Sequence, residues 1–205
     1  MDRVEVVCVT MGQKDLSIAE KMHITGNAVF GNQADGYRKE MQTCDGRTLN
    51  MITTDTRGVG VNRNIALLHA TGDILLFADD DVCYADGYAD GVRRAYAQYP
   101  DADMIIFSMD ITQGGRVIRQ IKNRDGRLHF HRALRYGTCV CSIQPGQPAT
   151  GEHLVFHAFR RRHELRPRGG HAVFAGCVSP GASGVHEQLL PGHLRQGCVH
   201  LLSRL

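Results

Sequence analysis

The sequence predicts an α/β protein built on a mostly parallel sheet. Three observations carry that expectation: apolar runs without polar alternation at 4–11, 74–78 and 104–110, helix-period segments between them, and turn-forming residues at the changes from one to the other. At 205 residues the chain can bury a sizeable core, and a single folded domain is the natural expectation.

The elements follow in order. "VEVVCVTM" (4–11) is rich in β-branched residues and reads as a buried first strand. A helix-prone segment at 15–22 comes next, then "NAVFGNQ" (27–33), a second strand that ends in polar residues. A polar excursion containing "CDGR" leads into "TLNMITTD", the third strand. The clearest helix is expected over 61–70, where Val61, Ile65 and Leu68 recur at helical spacing and Gly72 supplies a C-terminal stop. "ILLFA" (74–78) should be a central strand covered on both faces. A further helix is expected over 88–99, ended by Pro100, and "MIIFSMD" (104–110) is another buried strand. In such a sheet, ligands collect at the carboxyl ends of the strands.

Composition narrows the function. No stretch approaches the apolar length of a membrane span, and the N-terminus reads directly into a strand rather than a signal peptide. Seven cysteines, an odd number without a paired spacing, fit a reducing cytoplasm, and Cys139 and Cys141 read as alternate positions on a strand. Residues 144–205 hold seven Arg and three Glu, a net +4, which leaves −1 for residues 1–143. That front portion offers no surface for nucleic acid, so no nucleic-acid partner is expected.

The chemistry centres on "FADDDV". Asp79, Asp80 and Asp81 follow a wholly apolar strand. A helix cap is the plain reading of such acids. Three adjacent carboxylates nevertheless repel one another, a cost that a divalent cation offsets. Oxygen ligands without His or Cys suit Mg²⁺ or Mn²⁺, and an ion there would bridge the oxygens of a diphosphate.

"TRGVGVNRNIALLHATGDILLFADDDV" resembles the core of family 2 glycosyltransferases of the GT-A fold, in which a helix with an Arg-Asn pair precedes "A-x-G-[DE]-hydrophobics-D-x-D". The resemblance covers roughly residues 4–143. It implies a Rossmann-like GT-A sheet flanked by helices, here truncated, and metal-dependent, inverting transfer of a sugar from a nucleoside-diphosphate sugar to an acceptor hydroxyl. Site roles follow residue by residue: Asp79 on the ribose side, Asp81 as metal ligand, Asp80 as the variable middle position, and Arg63 and Asn64 near the nucleotide. Thr10 and Asp35 fall where the family binds the base, although "CVTMGQ" and "GNQADG" depart from its commoner "P-x-Y-N" and "D-D-G-S". The family also points to a glycan or lipid-linked acceptor, to bacterial surface-polysaccharide synthesis, and to a cytoplasmic protein at the inner face of the membrane.

Two other enzymes share part of this pattern. A haloacid dehalogenase-type phosphohydrolase also ends an apolar strand with D-x-D, but wants Thr or Val where Cys83 stands. A nucleotidyltransferase would show a glycine-rich basic loop near the N-terminus, of which "VTMGQKD" is a poor version.

From residue 144 the text changes. The last 62 residues hold five of the six prolines and seven of the eleven histidines, and lack Asp, Asn, Lys, Ile, Met, Tyr and Trp. "RRRHELRPR" is short for a nucleic-acid patch and has no interleaved aromatics. His153, His157 and His163 do not share a helical face. The missing residues mostly have A- or T-rich codons, which suggests GC-rich DNA read out of frame. Back-translating Glu152–Phe174 and reading one nucleotide later permits "NIWFSTLFGGGTSYGPGEDTLF", which resembles the family's glycine-rich stretch leading to "G-E-D". The upstream "QPGQPATGE" permits "SRDSLLRAN". The expectation is therefore a sugar-nucleotide-binding domain over 1–143 and an out-of-frame, poorly ordered tail over 144–205. The family's acidic pair, which supplies the catalytic base, would be encoded across codons 169 and 170 but not translated. Either an impaired transferase or an inactive fragment that binds nucleotide would result.

Overall fold

The computed structural model describes residues 2–100, 102, 104–113, 116–121, 126–127, 141–144, 185–188 and 199–200. The chain runs β1 (Val4–Met11), α1 (Ile18–Lys21), β2 (Asn27–Gln33), β3 (Arg38–Cys44), β4 (Arg47–Thr54), α2 (Val59–Leu68), β5 (Ile74–Asp79), α3 (Tyr88–Gln98) and β6 (Met104–Phe107). Shorter strands follow: β7 (Met109–Gln113), β8 (Arg116–Ile121), β9 (Gly126–Arg127), β10 (Cys141–Ile143), β11 (Val185–Gln188) and β12 (Val199–His200). The main sheet has the order β3-β4-β2-β1-β5-β10-β6-β11-β9, and β12-β7-β8 form a second one.

The centre of the main sheet, β4-β2-β1-β5, is parallel throughout, as the unbroken apolar runs require. Val4, Val6, Val7, Cys8, Phe30, Leu76 and Phe77 are buried on its two faces. β10 enters antiparallel between β5 and β6, and β3 adds an antiparallel edge, so the whole sheet is mixed. The expected strand at 104–110 divides at Ser108: β6 stays in the main sheet while β7 leaves to pair with β8. The tail proposed over 144–205 lies outside the described residues apart from Gln144, β11 and β12.

Three local differences from the sequence reading have physical causes. The "CDGR" excursion is the turn of a β3–β4 hairpin, with Asp45 and Gly46 both at positive φ (52° and 74°), as a two-residue hairpin turn needs. The helix expected over 15–22 shortens to one turn because the Asp15 carboxylate accepts the Ser17 N–H at 2.9 Å and His23 adopts φ 51°. In α2, Val61 and Leu68 are exposed, and the buried residues are Asn62, Arg63 and Ala66. Its inward face is therefore partly polar, as suits a helix that covers a site.

Gly72 serves close packing more than helix termination. α2 ends at Leu68, and a Cβ on Gly72 would sit 2.6 Å from Glu5 Cβ. Glu5 is buried in β1, and its Oε2 accepts the N–H groups of Thr71 (2.5 Å) and Gly72 (2.6 Å), tying the α2–β5 turn to the sheet. Glu5→Ala should therefore cost about 2–4 kcal/mol, because it removes the acceptor for two backbone donors; Glu5→Gln, which keeps an acceptor oxygen, should cost less than half of that. Urea titration of the two variants checks the order. Among the described residues, no helix is long and apolar enough to cross a membrane.

Candidate active site

The carboxyl ends of β1, β2 and β5 meet the start of α2 around a cleft of about 280 Å³. Val9, Thr10 and Met11 of β1, Gln33 of β2, Val59 and Asn62 of α2, and Asp79 and Asp80 line it. The cleft sits at the sheet's switch point: strand order runs from β1 toward β2 and β4 on one side and begins again with β5 on the other.

The three acids do not act alike. Val9 is opposite both Gly31 and Asp79, which places Asp79 on the face that α2 covers. There its Oδ1 lies 2.6 Å from Arg63 Nη2. The Arg63 side chain is only 1% exposed, against 42% for Asp79, so a buried guanidinium fixes a carboxylate that still faces solvent. A charge buried that deeply requires such pairing. Asp80 turns toward β1, where Thr10 Oγ1 donates to its Oδ2 at 2.6 Å. Asp81 is exposed, and its pKa is raised by partial loss of solvent and by the neighbouring Asp79 charge, with a smaller contribution from Asp80. None of the three caps the next helix, since α3 starts at Tyr88 with Gly87 as its N-cap.

A frame of amides holds the walls. Asn62 Nδ2 donates to Thr10 O (3.1 Å) and Gly31 O (2.6 Å), joining α2 to two strands at once. Gly31 makes that approach possible: a Cβ there would overlap the Asn62 carbonyl oxygen and lie 2.9 Å from its Oδ1. Asn32 is fully buried and grips the loop after β1 through both Gln13 backbone groups, at 3.1 and 2.9 Å. Gln33 Oε1 accepts the Gly58 N–H at 3.1 Å and so anchors the entry to α2. Beneath the acids, Cys8 is buried, and burial followed by the Asp80 and Asp79 charges pushes its thiol pKa up, which keeps it protonated and unreactive.

Of the residues expected from sequence, Thr10, Arg63 and Asp79 come together here, with Asp81 adjacent and exposed. Asp35 is exposed beyond β2, and Asn64 is half-buried; neither lines the cleft. Gln33, Asn62 and Asp80 were not among the expected binding residues, and all three line it. Glycine inside an apolar strand is a signal of close backbone approach, and Gly31 could have pointed to Asn62. Among the described residues, no group of three or more His, Cys, Asp or Glu is placed to enclose a metal. Asp81 with its neighbours does fit the alternative mode, in which one or two carboxylates hold Mg²⁺ or Mn²⁺ and phosphate oxygens complete the shell.

The family described as "Glycosyl transferase family 2" matches residues 31–163. The chain belongs to that family. The match begins in the last residues of β2, includes β3, β4, α2, β5 and the acidic strand end, and runs past the composition break at 144. Two solved structures of S. aureus TarS agree on the GT-A fold. Residues 1–349 of S. aureus TarS, in complex with UDP-GlcNAc, align with a TM-score of 0.58 at 13% identity over 99% of this chain and 59% of that one. A longer S. aureus TarS aligns with a TM-score of 0.60 at 12% identity over 98% of this chain and 37% of that one. The mannosyltransferase PcManGT from Pyrobaculum calidifontis, in complex with GDP-Man and Mn²⁺, aligns at 0.46 and 14% identity over 93% of this chain and 57% of that one. This family 2 chain thus spans about three fifths of the TarS 1–349 structure. No curated protein sequence matches it.

Proposed function

We propose that this chain binds a nucleoside-diphosphate sugar in the β1–β2–β5 cleft, as the donor half of a metal-dependent, inverting transfer of the sugar to the hydroxyl of a glycan or lipid-linked acceptor. The observation that carries this is the pair of adjacent carboxylates at the switch point, each fixed by its own partner: Asp79 by buried Arg63 and Asp80 by Thr10. Hydroxyl groups of a ribose can donate to carboxylates held in this way. Asp79 takes the ribose side, and Arg63 acts through it as a positioning residue. The family pattern would put Thr10 and Asp35 toward the base and Asn64 beside the nucleotide; of these three, Thr10 is the one that lines the cleft.

Asp81 is the residue that would hold Mg²⁺ or Mn²⁺. The ion would neutralise the diphosphate as it leaves. Inverting transfer also needs a carboxylate base to take the acceptor proton as the hydroxyl attacks the anomeric carbon. Glu152, Glu164 and Glu187 are the tail's carboxylates, and their spacing recommends none of them. A reading frame that shifts near Ile143 accounts for the missing base, with the composition change falling next to the last residue of β10 as support. The chain as translated then binds donor and transfers little.

Calorimetric titration of UDP- and GDP-sugars in the presence of Mn²⁺ tests the binding half. Asp81→Ala should weaken Mn²⁺-dependent binding at least about tenfold. Because Asp81 is exposed, the ligand-free melting temperature should move by no more than about 2 °C. Equal donor binding by the two proteins would remove Asp81 from the metal site.

A further inference from the structure

We propose that β3 is a self-pairing edge through which two copies of this chain join their main sheets, antiparallel and centred on Met41. Among the described residues, β3 ends the main sheet, and its seven residues pair with β4 without a register shift. It contains no Pro or Gly, and every residue in it but Glu40 is exposed. Natural sheets normally close such an edge with a proline, a bulge or a covering element, because its outward main-chain groups are a template for another strand. Met41, at its centre, is 68% exposed.

The hairpin decides which main-chain groups face outward. Its two-residue turn, Asp45 and Gly46, makes Cys44 and Arg47 the hydrogen-bonded pair that closes it, and such pairs alternate with non-bonded ones along the ladder. Arg38, Glu40, Gln42 and Cys44 therefore spend their N–H and C=O groups on β4, whereas those of Lys39, Met41 and Thr43 point away from the sheet. The 3.4 Å approach of the Thr43 and Thr48 hydroxyls agrees with a non-bonded pair there. A second copy laid antiparallel about Met41 matches the outward set: Met41 meets Met41, and Lys39 meets Thr43 of the second copy, each pair exchanging both main-chain bonds.

Charge selects that register. Centring on Lys39 or Glu40 would set like charges face to face, and centring on Gln42 moves Lys39 past the end of the second strand, opposite Asp45 in the turn. About Met41, Lys39 is diagonal to the opposite charge of Asp45 of the second copy. Glu40 faces uncharged Gln42, and Arg38 of its own strand already meets it at 2.7 Å. The two Met41 side chains cover each other at the dyad, which closes the assembly at two copies. β4 and β2 stand between β3 and β1, so the pairing leaves the cleft open.

Sedimentation velocity of the full chain over a wide range of concentration tests this. The wild type should show a monomer–dimer equilibrium, and Met41→Lys, which sets two ammonium groups face to face at the dyad, should weaken it at least about fivefold. Because Met41 is exposed, the melting temperature of that variant should move by no more than about 2 °C, which separates lost pairing from lost folding. Met41→Cys in a Cys44→Ser background should give an oxidised dimer joined through the introduced thiols, since facing residues of a bonded pair have Cα atoms about 5.5 Å apart. A chain that stays monomeric, a dimer that Met41→Lys leaves unchanged, larger open oligomers, or introduced thiols that fail to bridge would each overturn the pairing. A bridge between native Cys44 thiols, which face Arg38 in this register, would overturn it as well.

Discussion

Gly31→Ala should destabilise the protein by about 3 kcal/mol and lower its melting temperature by roughly 5–10 °C. The added Cβ would overlap the backbone carbonyl oxygen of Asn62, so trimming a side chain gives no relief. α2 must move away from β2 as a body. The movement takes with it Asn62, which bonds Thr10 O and Gly31 O, and Arg63, which holds Asp79. Nucleotide affinity should therefore fall more than the stability loss alone explains, by tenfold or more, at temperatures where the variant is still folded. Gly36→Ala is the control: Gly36 has φ +76° with nothing within 4 Å of a built Cβ, so that variant carries backbone strain of about 1 kcal/mol and no crowding. Similar affinity losses in the two variants would show that α2 docking does not govern the cleft. Adding Asn62→Ala should not rescue Gly31→Ala, since the obstructing atom is main-chain.

The same residues show what could be read from sequence. Strands β1 and β5 were legible because burial on both faces leaves nearly continuous apolar text, and the acids at the end of β5 stood out against it; β2 and β4 were legible from shorter apolar centres flanked by polar residues. β3 was not, because a solvent-exposed edge strand has no apolar face to report; "RKEMQTC" reads as a loop. Its Asp-Gly turn was nonetheless present in the sequence as a hairpin signal. α2 misled in a different way. Helical periodicity identifies an apolar stripe and assigns it to the core, but here Val61 and Leu68 are exposed and the buried face carries Asn62 and Arg63. A helix that builds a site departs from the pattern that holds for one that only fills a core. Gln33 accepts from the backbone N–H of Gly58 at the entry to α2, and Asn62 donates to carbonyls of β1 and β2, contacts that come from the docking of α2 on the sheet and not from any local motif.

Deleting one nucleotide at the boundary of codons 143 and 144 should convert a donor-binding chain into an active transferase. The case begins with β10, which inserts between β5 and β6 up to Ile143, so the strands that line the cleft, β1, β2 and β5, are all encoded before the change in composition. The shifted frame permits "GGGTSYGPGEDTLF", placing an adjacent Glu and Asp where the tail as translated has Gly169 and Gly170. A positioned general base contributes about 10²–10⁴-fold to such a reaction, and that is the expected gain in nucleoside-diphosphate release from UDP- or GDP-sugars. Donor affinity should change far less, because Asp79, Asp80, Arg63 and Thr10 are the same in both proteins. Converting the restored Glu-Asp pair to Gln-Asn should return turnover to background with binding retained, which separates a restored base from a merely better-folded chain. Stop codons in the shifted frame, or a restored protein that binds donor yet turns over no faster, would remove the frame shift from the account. A catalytic base would then have to be sought among the carboxylates of the chain as translated, Glu152, Glu164 and Glu187 included.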